Sequence, residues 1–190
     1  MTSPSHAESE STLPKPSSGR SMFARLLRGR SGAAAVEFAL VAGPTIALLL
    51  AILQIGIIYF AEETLETAVE ETARLVLTGQ AQSQGLTQSQ FSQALCTNSP
   101  GLFSCAGFMV NLQPATSFAT ANTGAPTLTY NASGNVTNVW NYNPGNPGDV
   151  MVMQVMYQWP VFLGPLGFNL ANLPNGTRLL MSTAVFRNEP

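Results

Sequence analysis

The stretch FALVAGPTIALLLAILQIGIIYF, residues 38–60, carries no charged side chain in 23 positions. As an α-helix this run spans about 34 Å, which is enough to cross the roughly 30 Å hydrocarbon core of a bilayer. A buried core helix is the alternative, but the length of the run and the arginines before it favour a membrane span. We therefore predict a transmembrane helix over residues 33–61.

Charge is distributed unevenly on the two sides of this run. Residues 1–31 carry five Lys or Arg against two Glu, whereas residues 61–77 carry five Glu against Arg74. The positive-inside rule then places the N-terminus in the cytoplasm and the chain after Phe60 outside. Only 9% of all residues are charged, against about 25% in a typical soluble domain.

The N-terminal residues divide into two predicted segments. Residues 1–19 are rich in Ser, Thr and Pro and cannot bury enough apolar surface to order themselves, so we predict a disordered tail. Residues 20–32 are a basic cytoplasmic leader. A cleavable secretory signal is the competing interpretation, but its apolar core would be about 7–15 residues with a small-x-small site, and bulky Tyr59 stands where a small residue is needed.

Beyond the apolar run, the sequence predicts that the helix continues and then gives way to a domain. Leu65, Val69, Thr72 and Val76 recur at helical spacing, which predicts an amphipathic extension over residues 62–79 that stops at Thr78-Gly79. Residues 80–190 are predicted to form an extracytoplasmic α+β domain, in which helices cover a small antiparallel sheet.

Several elements of this domain have sequence signatures. Thr87 and Gln90 form a predicted capping box for a helix that runs to about Cys96. Alternating apolar side chains predict the strongest strand, Asp149–Trp159, and a second one, Arg178–Phe186. Shorter strands are predicted over Phe108–Leu112, Thr127–Tyr130 and Val136–Trp140.

The two cysteines, Cys96 and Cys105, lie on the predicted outer side, where an oxidising compartment favours a disulfide. Two free buried thiols are the alternative. The single histidine, His6, lies in the polar tail, and Asp149 is the only aspartate, so we predict no catalytic, cofactor-binding or metal site. Arg74, Arg178 and Arg187 are the only basic residues beyond the span, which argues against nucleic-acid binding.

Glu37 is the one charge at the cytoplasmic end of the apolar segment. A carboxylate there costs less than at the bilayer centre because it reaches the interface. The positive end of the helix macrodipole also favours it, and this is the interpretation without a further function. The functional interpretation rests on its neighbours, Arg30-Ser-Gly-Ala-Ala-Ala-Val-Glu-Phe38.

This N-terminal stretch, followed by an apolar span, resembles the TadE/TadG-like proteins of the tight-adherence (Flp) pilus machinery. Two further stretches carry the resemblance: Gly148-Asp149-Val150 leading into the strand that ends Tyr157-Gln-Trp-Pro160, and the ending Ser182–Pro190. The resemblance implies a membrane-anchored pseudopilin or minor-pilin-like subunit that assembles a Tad pilus through helix-bundle and protein–protein contacts, without enzymatic activity.

The resemblance also implies a location, partners and site residues. The chain is expected in the bacterial inner membrane as a single-pass protein with a periplasmic domain, and it is expected to enter or assist a surface pilus. Its expected partners are the pilin, other pseudopilins, the assembly platform and a prepilin peptidase that cuts after Gly32. Ala33 would then be the first mature residue, and Glu37 would neutralise the free amine of a neighbouring subunit.

A second function class stays open from the sequence. The Asn-, Thr- and Gly-rich loops, with Trp140 and Trp159, also suit a membrane-tethered module that binds a carbohydrate or adhesion ligand. A hydrolase is disfavoured, because no histidine is available near the isolated Asp149.

Overall fold

The computed structural model describes residues 30–99, 101–162 and 169–190. The predicted disordered tail 1–19 and residues 20–29 of the basic leader lie outside the described residues. The chain divides into two units, Met1–Thr45 and Ile46–Pro190. The predicted α+β class is confirmed, with a long apolar N-terminal helix and a three-stranded antiparallel sheet.

Helix α1 is Arg30–Leu77. Its described residues start three positions before the predicted start at Ala33, so Gly32 lies within the helix and not just ahead of it. At the other end, Gly79 adopts φ 73°, a left-handed conformation that suits glycine, and ends the helix where the sequence predicts.

Two short helices follow α1 in the second unit. Helix α2, Gln80–Ser83, is a single turn that the sequence analysis did not predict. Helix α3, Gln88–Asn98, ends two residues beyond the predicted Cys96. Its predicted capping box is confirmed, because the Thr87 hydroxyl accepts from the Gln90 N–H and the Gln90 side chain accepts from the Thr87 N–H.

The sheet consists of β1 (Met109–Ala115), β2 (Val150–Pro160) and β3 (Thr177–Arg187), in the order β1-β2-β3. Both neighbouring pairs are antiparallel. Strands β2 and β3 agree with their predicted ranges to within one residue at each end. Strand β1 runs three residues past the predicted end at Leu112 and includes Pro114, which an edge strand tolerates.

The two weaker strand predictions, Thr127–Tyr130 and Val136–Trp140, are wrong. In this part of the chain an isolated bridge pairs Tyr130 with Val136, outside the three strands. Between them, an asparagine side chain bonds the local backbone: Asn131 Oδ1 accepts from the N–H groups of Ser133 and Asn135, both at 3.0 Å. Such contacts compete with strand pairing and favour an irregular loop.

The core is formed by the C-terminal part of α1, from Ile58 onward, together with α3 and one face of the sheet. The predicted stripe of α1 is buried, because Leu65, Val69, Thr72 and Val76 are each at most 1% exposed. Strand β2 contributes Met151, Met153 and Val155 to the same cluster. Three alanines on the same part of α1 are also buried: Ala61, Ala68 and Ala73.

Candidate membrane anchor and assembly surface

Helix α1 presents large apolar side chains to its surroundings along the run that the sequence assigns to the membrane. Among the described residues, it is the one helix long and apolar enough to cross a membrane. A contiguous exposed apolar surface of this kind is unfavourable in water and favourable in lipid or against other apolar helices. The exposed residues are Val36, Phe38, Leu40, Val41, Ile46, Leu48, Leu49, Leu50, Ile52, Leu53, Ile57, Tyr59 and Phe60.

The three residues of the predicted processing site lie near the beginning of α1. Gly32, Ala33 and Glu37 are all exposed. Ala33 and Glu37 are four residues apart and so lie on the same face of the helix. Glu37 is the eighth described residue of α1, about two turns from Arg30.

Beyond the apolar run, α1 changes from an exposed helix to one packed against the sheet. From Ile58 onward its inward side chains belong to the hydrophobic core. One ion pair joins helix and sheet at this transition, with Arg178 Nη2 3.4 Å from Glu62 Oε1 and both side chains about one-third exposed. A pair this exposed contributes at most about 1 kcal/mol, so apolar packing holds the helix on the sheet.

The predicted disulfide is confirmed, with Cys96 and Cys105 joined and their Cα atoms 5.2 Å apart. The loop that it closes carries Phe103, whose ring packs against those of Tyr157 and Trp159. The distances between ring centroids are 4.9 and 5.7 Å. The Tyr157 hydroxyl also accepts a hydrogen bond from the Ser104 N–H at 3.1 Å. The bridge thus fastens an aromatic cluster over the end of β2.

The two C-terminal stretches that carry the family resemblance, Gly148–Pro160 and Ser182–Pro190, contact each other. Arg187 Nε donates to the Gly148 carbonyl at 2.8 Å, and the Asn188 N–H donates to the Asp149 carbonyl at 2.9 Å. The Glu189 N–H reaches the carbonyl of Leu77, the last residue of α1, at 2.8 Å. These contacts latch the end of β3 onto the start of β2 and onto the helix.

Asp149 has a structural role within this latch. Its carboxylate accepts from the Asn146 N–H at 2.8 Å and so closes the turn that leads into β2. Trp159, one of the two tryptophans considered for ligand binding, packs against Phe103 and the core. Across the described residues, no group of three His, Cys, Asp or Glu is placed to hold a metal ion.

Two polar contacts have no signature in the sequence. Gln154 is buried on the outer face of β2, where it accepts from the Asn111 amide at 3.0 Å and donates to the Gly124 carbonyl at 2.8 Å. Gln54, inside the apolar run, donates to the backbone carbonyl of Phe162 at 2.7 Å. These contacts could be predicted only if the strand register and the path of the loops were already known.

Comparison with known proteins gives a match in the N-terminal part of the chain. A family model described as TadE-like protein matches residues 32–74, from Gly32 into the packed part of α1. The recognised resemblance is confirmed over this segment, which supports a role related to the Tad pilus. No curated protein and no solved structure matches the chain.

Proposed function

Because residues 32–74 match the TadE-like family, we propose that this chain is a membrane-anchored, pseudopilin-like subunit for assembly of a Tad pilus. The observation that carries the proposal is that the match coincides with α1, most of whose large apolar side chains between Val36 and Phe60 are exposed. A helix of this kind needs lipid or other apolar helices around it. Its role is structural, not enzymatic.

The proposed orientation has the N-terminus in the cytoplasm and the α+β domain in the periplasm of a bacterial inner membrane. The basic residues before α1 and the glutamates after Phe60 favour it. The disulfide between Cys96 and Cys105 agrees with an oxidising compartment for the domain. The partners proposed are the pilin, other pseudopilins, the assembly platform and the peptidase.

The proposed processing site uses the exposed start of α1. Cleavage after Gly32 would leave a free amine on Ala33, with Glu37 as the fifth residue of the mature chain. A charged amine beside lipid needs an anion close by. An exposed Glu37 at the start of the apolar stretch of α1 supplies such an anion to a neighbouring subunit.

N-terminal mass spectrometry tests the processing step. We expect the full chain to begin at Ala33 when a prepilin peptidase is co-expressed, and to keep its leader otherwise. Gly32→Leu should block the cut, because the peptidase must approach a backbone without a side chain. A retained leader on every molecule in the presence of active peptidase would overturn processing and leave only the single-pass anchor.

Co-purification with pilus subunits tests the role of Glu37. Glu37→Gln should insert normally, because loss of a charge helps partitioning into lipid, yet it should recover fewer pilus partners. Glu63→Gln is the matched control, since Glu63 is an exposed glutamate on the same helix beyond the apolar run. Equal recovery of partners by both variants would contradict the pairing role.

The tethered binding module is less well supported. Of the two tryptophans considered for ligand binding, Trp159 is packed into the aromatic cluster beside the disulfide loop. Its loops, rich in Asn and Thr, cover the outer face of the sheet, where Gln154 bonds the Gly124 carbonyl. The loop composition thus has a structural explanation.

A further inference from the structure

A single hydrogen bond places one loop of the outer domain beside the apolar run of α1. Gln54 Nε2 donates to the Phe162 carbonyl at 2.7 Å, two residues after β2 ends at Pro160. Gln54 lies six residues before Phe60, which is about 9 Å along a helix axis. The loop that leaves β2 is therefore level with the apolar run and not with the glutamates that follow.

The side chains at this point of the loop suit lipid. Phe162 is 79% exposed, and it lies beside a helix whose Leu53 and Ile57 are also exposed. No charged residue occurs in the sequence between Asp149 and Arg178. An exposed phenylalanine next to the exposed apolar surface of α1 extends that surface from the helix onto the domain.

The boundary between lipid and water can be located on α1. The ion pair of Glu62 with Arg178 marks the aqueous side, and Glu62 is eight residues beyond Gln54, or about 12 Å. The exposed ring of Tyr59 lies within this interval. Aromatic rings concentrate at the headgroup level of membranes, and Phe162 lies at the apolar end of the same interval.

The hydrogen bond also lowers the free-energy cost of placing two polar groups at this depth in the membrane. An amide or a carbonyl that leaves water without a partner costs several kcal/mol. Irregular backbone near lipid persists only where its polar groups are satisfied. Gln54 and the Phe162 carbonyl satisfy each other, so the loop can approach the hydrocarbon without an unpaired group at this point.

We propose that Phe162 and Pro160, two residues before it, insert into the outer headgroup–acyl boundary of the bilayer, as a second membrane contact beside α1. The inference rests on the proposed membrane span of α1. The partner is phospholipid, held by apolar contact, so the sign of the headgroup charge should not matter. The outer domain is thereby seated on the membrane surface, with Gln54 as a positioning residue.

Fluorophore labelling of the full chain in phosphatidylcholine vesicles tests this seating. Both native cysteines are in the disulfide, so Phe162→Cys introduces one free thiol for an environment-sensitive label. We expect quenching by a lipid nitroxide near the headgroup, and iodide quenching about threefold weaker than at Phe118→Cys. Phe118 is the matched control, because it is an exposed phenylalanine of the same domain, in the cleft beside Gly148 and Arg187.

Three further measurements separate the possible failures. A label at Leu49→Cys reports whether α1 spans the bilayer. Lipid quenching at position 49 without quenching at position 162 would overturn the contact of Phe162 with lipid and retain α1 as the membrane anchor. Absence of lipid quenching at both positions would overturn both. Protection from iodide at Phe162 without lipid quenching would indicate a protein cover and overturn lipid as the partner. Gln54→Leu should raise iodide access at Phe162, and added phosphatidylglycerol should change nothing.

Discussion

Loss of the disulfide should destabilise the outer domain by an amount set by the loop it closes. Cys96 and Cys105 are nine residues apart, for which the chain-entropy relation gives about 2.6 kcal/mol. The loop also carries Phe103, which is 7% exposed and packs on Tyr157, so a loosened loop would cost further contacts. We therefore expect Cys96→Ser to lower the free energy of unfolding by about 3 kcal/mol.

The assay is thermal unfolding of the full chain in detergent micelles, followed by near-ultraviolet circular dichroism. This signal reports the aromatic cluster of Phe103, Tyr157 and Trp159 and not the helicity of the apolar run. For a domain of this size the expected loss corresponds to a decrease in Tm of about 10–13 °C. Reductant should lower the Tm of the wild type by a similar amount.

The double variant Cys96→Ser/Cys105→Ser is the matched control. It should unfold near the temperature of the single variant and should not respond to reductant, because no bridge remains to be broken. A loss below about 1 kcal/mol would refute the reasoning, since the loop would then be held by its aromatic contacts alone. So would a double variant as stable as the wild type.

Three further predictions concern the packing, and each is tested by urea unfolding in micelles. Leu65→Ala should lower the free energy of unfolding by about 2–5 kcal/mol because Leu65 is 1% exposed, whereas Leu53→Ala, on the exposed apolar surface, should lower it far less. Equal losses would contradict the division of α1 into an exposed apolar run and a part packed against the sheet. Gln154→Leu and Asn111→Leu should each cost about 1–3 kcal/mol, and the double variant less than their sum; strict additivity would contradict the paired burial. Burial raises the pKa of Tyr142, so the contribution of Tyr142 to stability is fully present below about pH 10 and decreases as the pH rises further. Tyr142→Phe should therefore weaken the loss of stability at high pH, and an unchanged loss would assign it to other groups.

The sequence predicts the elements whose physical cause is local. The stripe of Leu65 and Val76 follows from helical periodicity, and the start of α3 from the capping box at Thr87. Strand β2 follows from alternation combined with the turn that precedes it. In each case neighbouring residues contain the information that the structure uses.

Features that depend on distant residues are not predicted. The latch of Asn188 on Asp149, the pair of Gln154 with Asn111, and the contact between Gln54 and Phe162 each join residues more than thirty positions apart. Asn131 illustrates the converse error, because its side chain bonds the nearby Ser133 backbone between the two segments that were predicted as strands.

The assignment of α1 as a membrane anchor with an external domain is tested most directly by reporter fusions. A reporter that is active only in the periplasm, fused after Pro190, should be active in cells, and the same reporter placed before Arg20 should be inactive. Activity at the N-terminal position alone would reverse the orientation and contradict the pilus-assembly proposal.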